Sequence, residues 1–140
     1  MERLRGRTAV AGDACGVALV TREPLSFWGG LDPATGEIID RRHSLSGEIV
    51  TGRVLVLPCS KGSSTTSTVL LEAIRAQTAP AAIISSSPDP MLALGSIVGA
   101  ELYHRSVPVV FVDEADFRRL RTGDWVAIRT DGTIELEPVQ

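Results

Sequence analysis

Apolar residues recur along this chain in two rhythms, and each predicts its own kind of element. Short unbroken runs bounded by turn residues mark strands buried on both faces; spacings of three and four mark helices. Residues 54–57 (VLVL), closed by Pro58, form such a run, and residues 81–85 (AAIIS) and 107–112 (VPVVFV) repeat it. Leu70, Ala73, Ile74 and Gln77 fall on one helical face and predict a helix over 66–77. A second helix opens at Asp89-Pro90, with Asp at the N-cap and Pro at the first helical position, as both prefer. Leu94, Ile97, Val98, Glu101 and Leu102 carry it forward, and Gly95 and Gly99, four apart, are expected to let it lie close to the sheet. Strand–helix–strand–helix–strand order demands parallel strands with right-handed crossovers.

The flanks read as β-rich. Residues 8–11 and 17–20 are short β-type runs separated by the turn-like GDACG; residues 1–7 are charged but lack the following apolar region of a signal peptide. Residues 125–129 and 133–136 predict a closing hairpin across Thr130-Asp131-Gly132, after a short helix over 113–120. In the segment SFWGGLDPATGEIID, the local pattern predicts a hairpin with Trp28 covering the core. The alternative is that Gly29 and Gly30 let backbone pass close to a ligand. Residues 38–39 make a further short strand. The expectation is an α/β chain: one compact β/β/α domain over residues 1–140, with a central βαβαβ unit of parallel strands flanked by β-hairpins.

Charge and composition narrow the chemistry. A formal net charge of -3 and no basic stripe argue against a nucleic-acid groove; Arg118, Arg119 and Arg121 read as a solvated helix end. Cys15 and Cys59 form no CxxC pair and are too few for a zinc or iron–sulfur site, so they read as reduced thiols of a cytoplasmic protein. Neither a signal peptide nor a membrane span is visible in the pattern. His43 stands in a polar, loop-like stretch and is expected to be solvated or hydrogen-bonded. It gains a functional reading only if the fold carries it to the loop after residue 57. His104 follows a helix and reads as a partner of its C-terminal dipole.

That loop, CSKGSSTTS, holds the densest candidate chemistry. It delivers Ser63, Ser64, Thr65, Thr66 and Ser67 to a helix N-terminus, where unpaired N–H groups and aligned dipoles favour negative charge. Lys61 adds a full positive charge, and Gly62 permits close approach or a positive φ. The hydroxyls either cap the helix, which needs only one of them, or line an anion or substrate site. A P-loop is excluded by the order Lys61-Gly62-Ser63 and by Leu57 where the first Gly is needed; no Gly-x-Ser-x-Gly elbow surrounds Ser63.

Taken in order, SFWGGLDPATGEIID, the downstream His43, LPCSKGSSTTSTVLLE and SSPDPMLALGSIVGAELYHRSVPVVF resemble the small subunit of aconitase X enzymes, over nearly the whole chain. The resemblance implies a swivelling β/β/α domain like the last domain of aconitase and a hydro-lyase split over two chains. It implies an iron–sulfur cluster held by the cysteines of a large-subunit partner, with no cofactor bound by this chain itself. By the same resemblance, Gly62-Ser63-Ser64 matches the catalytic Gly-Ser-Ser loop, making Ser63 the base. Lys61, Gly62, Ser64, Trp28, Gly29, Gly30 and His43 become substrate-binding candidates. Family members commonly carry Arg where Lys61 stands; lysine keeps the charge but loses the planar two-pronged donor. The implied substrate is a small hydroxy acid: cis-3-hydroxy-L-proline, dehydrated to Δ1-pyrroline-2-carboxylate, or alternatively mevalonate 5-phosphate. A different class of reading, a non-catalytic anion-binding or regulatory module, keeps the same loop and drops the partner's chemistry.

Overall fold

The computed structural model describes residues 1–62 and 65–139. Two strands, β1 (Glu2–Arg5) and β2 (Arg7–Val10), are separated only by Gly6 and lead into the longer β3 (Ala14–Val20). Three two-residue strands follow: β4 (Leu25–Ser26), β5 (Leu31–Asp32) and β6 (Glu37–Ile38). Next come β7 (Val54–Leu57), the short β8 (Ser60–Lys61), α1 (Thr65–Ala76), β9 (Ala82–Ser85) and α2 (Pro90–Tyr103). The chain closes with β10 (Val109–Phe111), α3 (Glu114–Arg119) and the hairpin β11 (Trp125–Ile128) to β12 (Thr133–Glu137).

Among the described residues, eight strands form one sheet in the order β1-β12-β11-β3-β7-β9-β10-β2. Strands β3, β7, β9 and β10 are parallel, as the crossover order requires; β2, β11 and β12 pair antiparallel beside them. Because β1 and β2 stand at opposite ends of this order yet are joined through one residue, the sheet must curl until its ends meet. Gly6 makes that corner: its N–H donates to the Gly132 carbonyl at 2.9 Å, and a Cβ there would lie 2.9 Å from the same oxygen. No larger residue fits so close a backbone crossing.

Period-two alternation then divides the central strands between two cores. Val54, Val56 and Ile84 point inside the curled sheet with Leu4, Ile128 and Ile134. Leu55, Leu57 and Ile83 point outward against Leu70, Ile74 and Leu92 of the helices. Each such fully buried Leu, Ile or Val contributes about 1.5–3 kcal/mol relative to an exposed one. The result is a β/β/α stack, the architecture expected from the sequence.

One strand was not anticipated, and two expectations change. The charged residues 1–7 contain β1, an edge strand whose one inward residue, Leu4, is enough to seat it; its outward charges protect the edge. Trp28 does not cover the core: it is 68% exposed, and Phe27 is the buried aromatic, packed with Leu25 and Leu31. The Gly29–Gly30 turn swings residue 28 outward, and the hairpin forms just downstream between β5 and β6. Finally, Gly95 and Gly99 admit α1 and not the sheet. A Cβ on Gly95 would meet the Ser67 carbonyl oxygen at 2.9 Å, and one on Gly99 would meet Ile74 at 2.6 Å. Gly95→Val is therefore expected to force the two helices apart and cost about 1–3 kcal/mol. A lowered urea midpoint with an unchanged m-value checks this.

Candidate functional site

Parallel strands send their carboxyl-terminal loops to one edge of a sheet, and ligands of open α/β sheets bind there. In this chain that edge collects Thr21–Pro24 after β3, Pro58–Gly62 after β7, Ser86–Asp89 after β9 and Val112–Asp113 after β10. Hydrogen bonds knit these loops together. Ser86 and Ser87 hydroxyls donate to the Pro58 carbonyl at 3.4 and 3.2 Å, and the Ser85 hydroxyl donates to the Ser87 carbonyl at 2.7 Å. Arg22 lies over the Phe117 ring at 4.8 Å and donates to the carbonyls of Phe117 and Leu120 at 2.7 and 2.6 Å, closing the end of α3.

The candidate loop sits on this edge. Its strand β8 pairs in parallel with β4, Leu25 opposite Ser60 and Ser26 opposite Lys61. Lys61 and Gly62 are exposed; Gly62 takes φ +109°, a conformation that suits glycine, and the chain then enters α1. Ser63 and Ser64, the residues to which the sequence assigns the central chemistry, lie outside the described residues. Of the remaining hydroxyls, Thr66 is buried and donates to the Lys61 carbonyl at 3.5 Å, while Ser67 donates to the Met91 carbonyl at 2.7 Å. Thr66 and Ser67 therefore hold the loop and the adjoining helices in place.

The register of β4 against β8 brings the distant aromatic–glycine turn to the same place. Trp28, Gly29 and Gly30 begin two residues after Ser26, the partner of Lys61. The turn is tied by the Ser26 hydroxyl donating to the Trp28 carbonyl at 2.9 Å. Gly30 is obligatory there, since a Cβ would come 1.9 Å from the Ser26 carbonyl oxygen. Gly29 has φ +75° and open space around it. Trp28 thus stands as an exposed indole beside the Lys61 strand, where a second surface can cover it.

His43 reaches the site from behind. It is only 7% exposed, and its ring is engaged at both nitrogens: Nε2 lies 3.1 Å from the Pro24 carbonyl, and Nδ1 accepts from the Leu45 N–H at 3.0 Å. A carbonyl only accepts, so Nε2 carries the hydrogen. His43 braces Pro24, the residue before β4, and so supports the Lys61 strand through its neighbour. Its polar sequence context hid this burial.

Two supports of this edge were not legible in the sequence. Glu23 accepts from the Ser44 N–H at 2.7 Å, and its carboxyl is held below the ordinary glutamate range by that bond first, then by His43 and Lys61 nearby. Asp89 was legible as a helix cap but not as an anchor of the loop: its Oδ2 accepts from both the N–H and the hydroxyl of Ser60, at 2.6 and 2.8 Å. Two clefts of about 450 and 460 Å³ open along the same edge. One lies between Arg5, Arg7, Ser87 and Phe111, the other between Arg22, Pro58 and Glu114, and both touch Ser86. Neither includes the exposed Lys61 and Trp28 or the buried His43.

The two thiols lie far apart. Cys15 is the second residue of β3 and Cys59 follows the end of β7, so parallel register places them at opposite ends of the strands. They cannot share a metal group, and no set of three or more His, Cys, Asp or Glu among the described residues is arranged to hold one. Among those residues, no helix is long and apolar enough to cross a membrane.

Comparison with known proteins defines the class. Residues 3–136 match the family model of the aconitase X swivel domain, and the chain belongs to that family. Among its relatives is a cis-3-hydroxy-L-proline dehydratase of Pseudomonas aeruginosa, 48% identical over 130 residues, which cover 93% of this chain but 22% of that protein. The chain thus spans about a fifth of that relative's length. A phosphomevalonate dehydratase small subunit of Methanosarcina mazei is 38% identical over 136 residues, covering 96% of this chain and 90% of the relative. The crystal structure of Thermococcus kodakaraensis aconitase X in its holo-form superposes with a TM-score of 0.87 at 35% identity, over 99% of this chain and all of that one.

The lowered Glu23 carboxyl has a consequence for pH. Its ionised form favours the folded chain, so the contribution is present above the ordinary carboxylate range and is lost as pH falls through the lowered value. Glu23→Gln is expected to reduce the acid-side loss of Tm while leaving the Tm profile near neutral pH parallel to wild type. Thermal melts across an acid series check this.

Proposed function

We propose that this chain is the swivel subunit of an aconitase X-type dehydratase, closing over substrate held by a large partner and supplying the base that removes a proton beside the substrate carboxylate. One observation carries the reading: Lys61 and Gly62 end the described stretch before Ser63, and α1 begins at Thr65, at the carboxyl edge of the parallel strands. The chain that presents it belongs to a family whose named relatives are dehydratases and dehydratase small subunits.

Dehydration of a β-hydroxy acid needs a proton taken from carbon and hydroxide expelled. A serine hydroxyl accepts a carbon-bound proton only as its alkoxide, and that species needs donors and positive charge in a site without water. In the proposed closed complex, Ser63 takes the proton. The N-terminal amides of α1 and the Lys61 ammonium lower the cost of its negative charge. Ser64, Lys61 and Gly62 amides hold the substrate carboxylate. Trp28 and the Gly29–Gly30 turn form the lip that meets the partner and excludes water, and His43 keeps that lip in register with β8. An iron–sulfur cluster on the partner's cysteines supplies Lewis-acid activation of the departing hydroxyl. The separation of Cys15 from Cys59 supports placing that cluster on the partner.

For the substrate we favour cis-3-hydroxy-L-proline, yielding Δ1-pyrroline-2-carboxylate, because the Pseudomonas relative is 48% identical and the Methanosarcina one 38%. A second reading, mevalonate 5-phosphate, is supported by the cleft in which Arg5 and Arg7 face the hydroxyl-rich Ser86–Ser87 turn, a donor set suited to a phosphate. Assay of the two-chain enzyme with both compounds separates them. On the favoured substrate, Ser63→Ala is expected to leave complex formation intact by size-exclusion chromatography and lower kcat by about 10²–10⁴-fold. Near-normal turnover overturns the assignment of the base. Lys61→Met is expected to raise KM more than it lowers kcat, the mark of lost ground-state binding.

A further inference from the structure

The apolar rhythm that marks α2 in the sequence faces outward in the fold. Leu94, Ile97 and Leu102 are 46%, 53% and 57% exposed, while the inward residues are Leu92, Gly95, Ser96 and Gly99. The inward face is made of small residues because α1 presses against it, so close that a Cβ on Gly95 or Gly99 would collide with that helix. Bulky side chains have only the outer face to occupy. The neighbouring helices show what a solvent face is in this molecule. Outward positions of α1 carry Thr68 and the Glu72–Arg75 ion pair, and α3 carries Glu114, Arg118 and Arg119. Across its 14 residues α2 holds one charged side chain, Glu101, one turn after Ile97. A helix that is apolar all round is ordinarily covered all round. In the single chain this outer stripe is bare.

We propose that the Leu94–Ile97–Leu102 stripe is the seat of a larger dehydratase chain, whose apolar groove covers it and presents a lysine or arginine to Glu101; this rests on the reading of the chain as a dehydratase small subunit. Two observations choose this occupant. The same module makes up about a fifth of the Pseudomonas dehydratase and nearly all of the Methanosarcina small subunit. Where the module is a separate chain, the larger body is held by contact alone, and lasting contacts of that kind are the more apolar ones. Charge then excludes the simplest alternative, a second copy of this chain. Two stripes paired about a two-fold axis set Glu101 against Glu101 when the helices run parallel. Antiparallel pairing centred between Ile97 and Val98 covers the whole stripe but sets each Glu101 against Leu94. A carboxylate buried there without a partner is costly, and α2 has no basic residue to answer it. Sliding the pair until Glu101 meets His104 leaves Leu94 and Ile97 uncovered. Arg105 is already engaged at the end of α1, donating to the carbonyls of Ile74 and Arg75 at 3.2 Å. The stripe also continues the carboxyl edge of the sheet. Its helix starts at Asp89, which holds the Ser60 N–H at 2.6 Å, so a body seated on α2 borders the loops after β7 and β9.

The test titrates the purified larger chain of the two-chain enzyme with this chain and its surface variants, reading Kd by calorimetry. The double variant Leu94→Asp/Ile97→Asp is expected to keep the Tm of the isolated chain near wild type, because both positions face solvent. It should weaken Kd by about 100-fold or more. Thr68→Asp, the same kind of change on the outer face of α1, is expected to leave Kd within about twofold. Glu101→Lys should weaken binding more than Glu101→Gln, as a facing cation requires. In the wild-type complex, amides of residues 93–103 should exchange more slowly than in the free chain, a readout that needs no variant. Wild-type affinity in the double variant overturns the seat and leaves the small-subunit reading standing. Should the double variant unfold, unchanged exchange at residues 93–103 overturns the seat instead. A wild-type chain that fails to bind the larger one overturns the small-subunit reading and this proposal together. An isolated wild-type chain that is dimeric by light scattering, and monomeric as the double variant, assigns the stripe to a second copy and overturns the occupant.

Discussion

The structure depends on the burial of β7 and β9 on both faces. Every residue of Val54–Leu57 and Ala82–Ser85 is buried, with alternate side chains committed to the interior of the curled sheet and to the helix layer. A one-residue slip would exchange Val54 and Val56 with Leu55 and Leu57 and disrupt both cores together. Register is therefore fixed, and so is the position at which each strand ends. The loops at those ends inherit their placement from cores that contain none of the loop chemistry. That is why a two-residue strand such as β8 can present Lys61 at a defined place: its geometry is set by β7 before it and α1 after it.

How much of this could be read along the chain follows from which forces are local. The parallel core was legible because its runs are unmixed: VLVL and AAII have no polar residue to rotate outward. The start of α2 was legible because Asp89-Pro90 combines a cap with a fixed φ, both properties of neighbouring residues. The loop after β7 could be placed at a helix N-terminus for the same reason. Strand β1 was not legible, since Leu4 alone carries its pattern and its pairing with β12 spans almost the whole chain. Trp28 misled for a related reason. Phe27 and Trp28 are adjacent aromatics, and only the tertiary turn at Gly29–Gly30 decides which of them is inward. Gly95 and Gly99 showed that something approaches closely, yet a sequence cannot say whether a helix or a sheet does so.

The site divides along the same line. Residue types were legible where chemistry is stated by composition, as in the hydroxyl-rich loop with its lysine. Support was not. His43 bracing Pro24, Glu23 accepting from Ser44 and Asp89 holding Ser60 all act across 19 to 29 residues of sequence, through one or two hydrogen bonds each that leave no periodic trace. These side chains lie in stretches that look like ordinary polar loops. In such a fold candidate chemistry is conspicuous in the sequence, and the hydrogen bonds that support it are not.

The seam between β1 and β12 has a consequence of its own. Glu2 pairs with Leu136, so the first and last strands leave the body of the molecule side by side. A module whose two ends exit at one corner can be spliced into a longer polypeptide there, or stand alone, without disturbing its interior. The relatives include one about as long as this chain and one roughly four times its length. Register places that corner at the carboxyl-terminal ends of the parallel strands, beside Asp124 and Arg119, so a longer polypeptide joined there would meet the module on the same edge as the loops after β3 and β7.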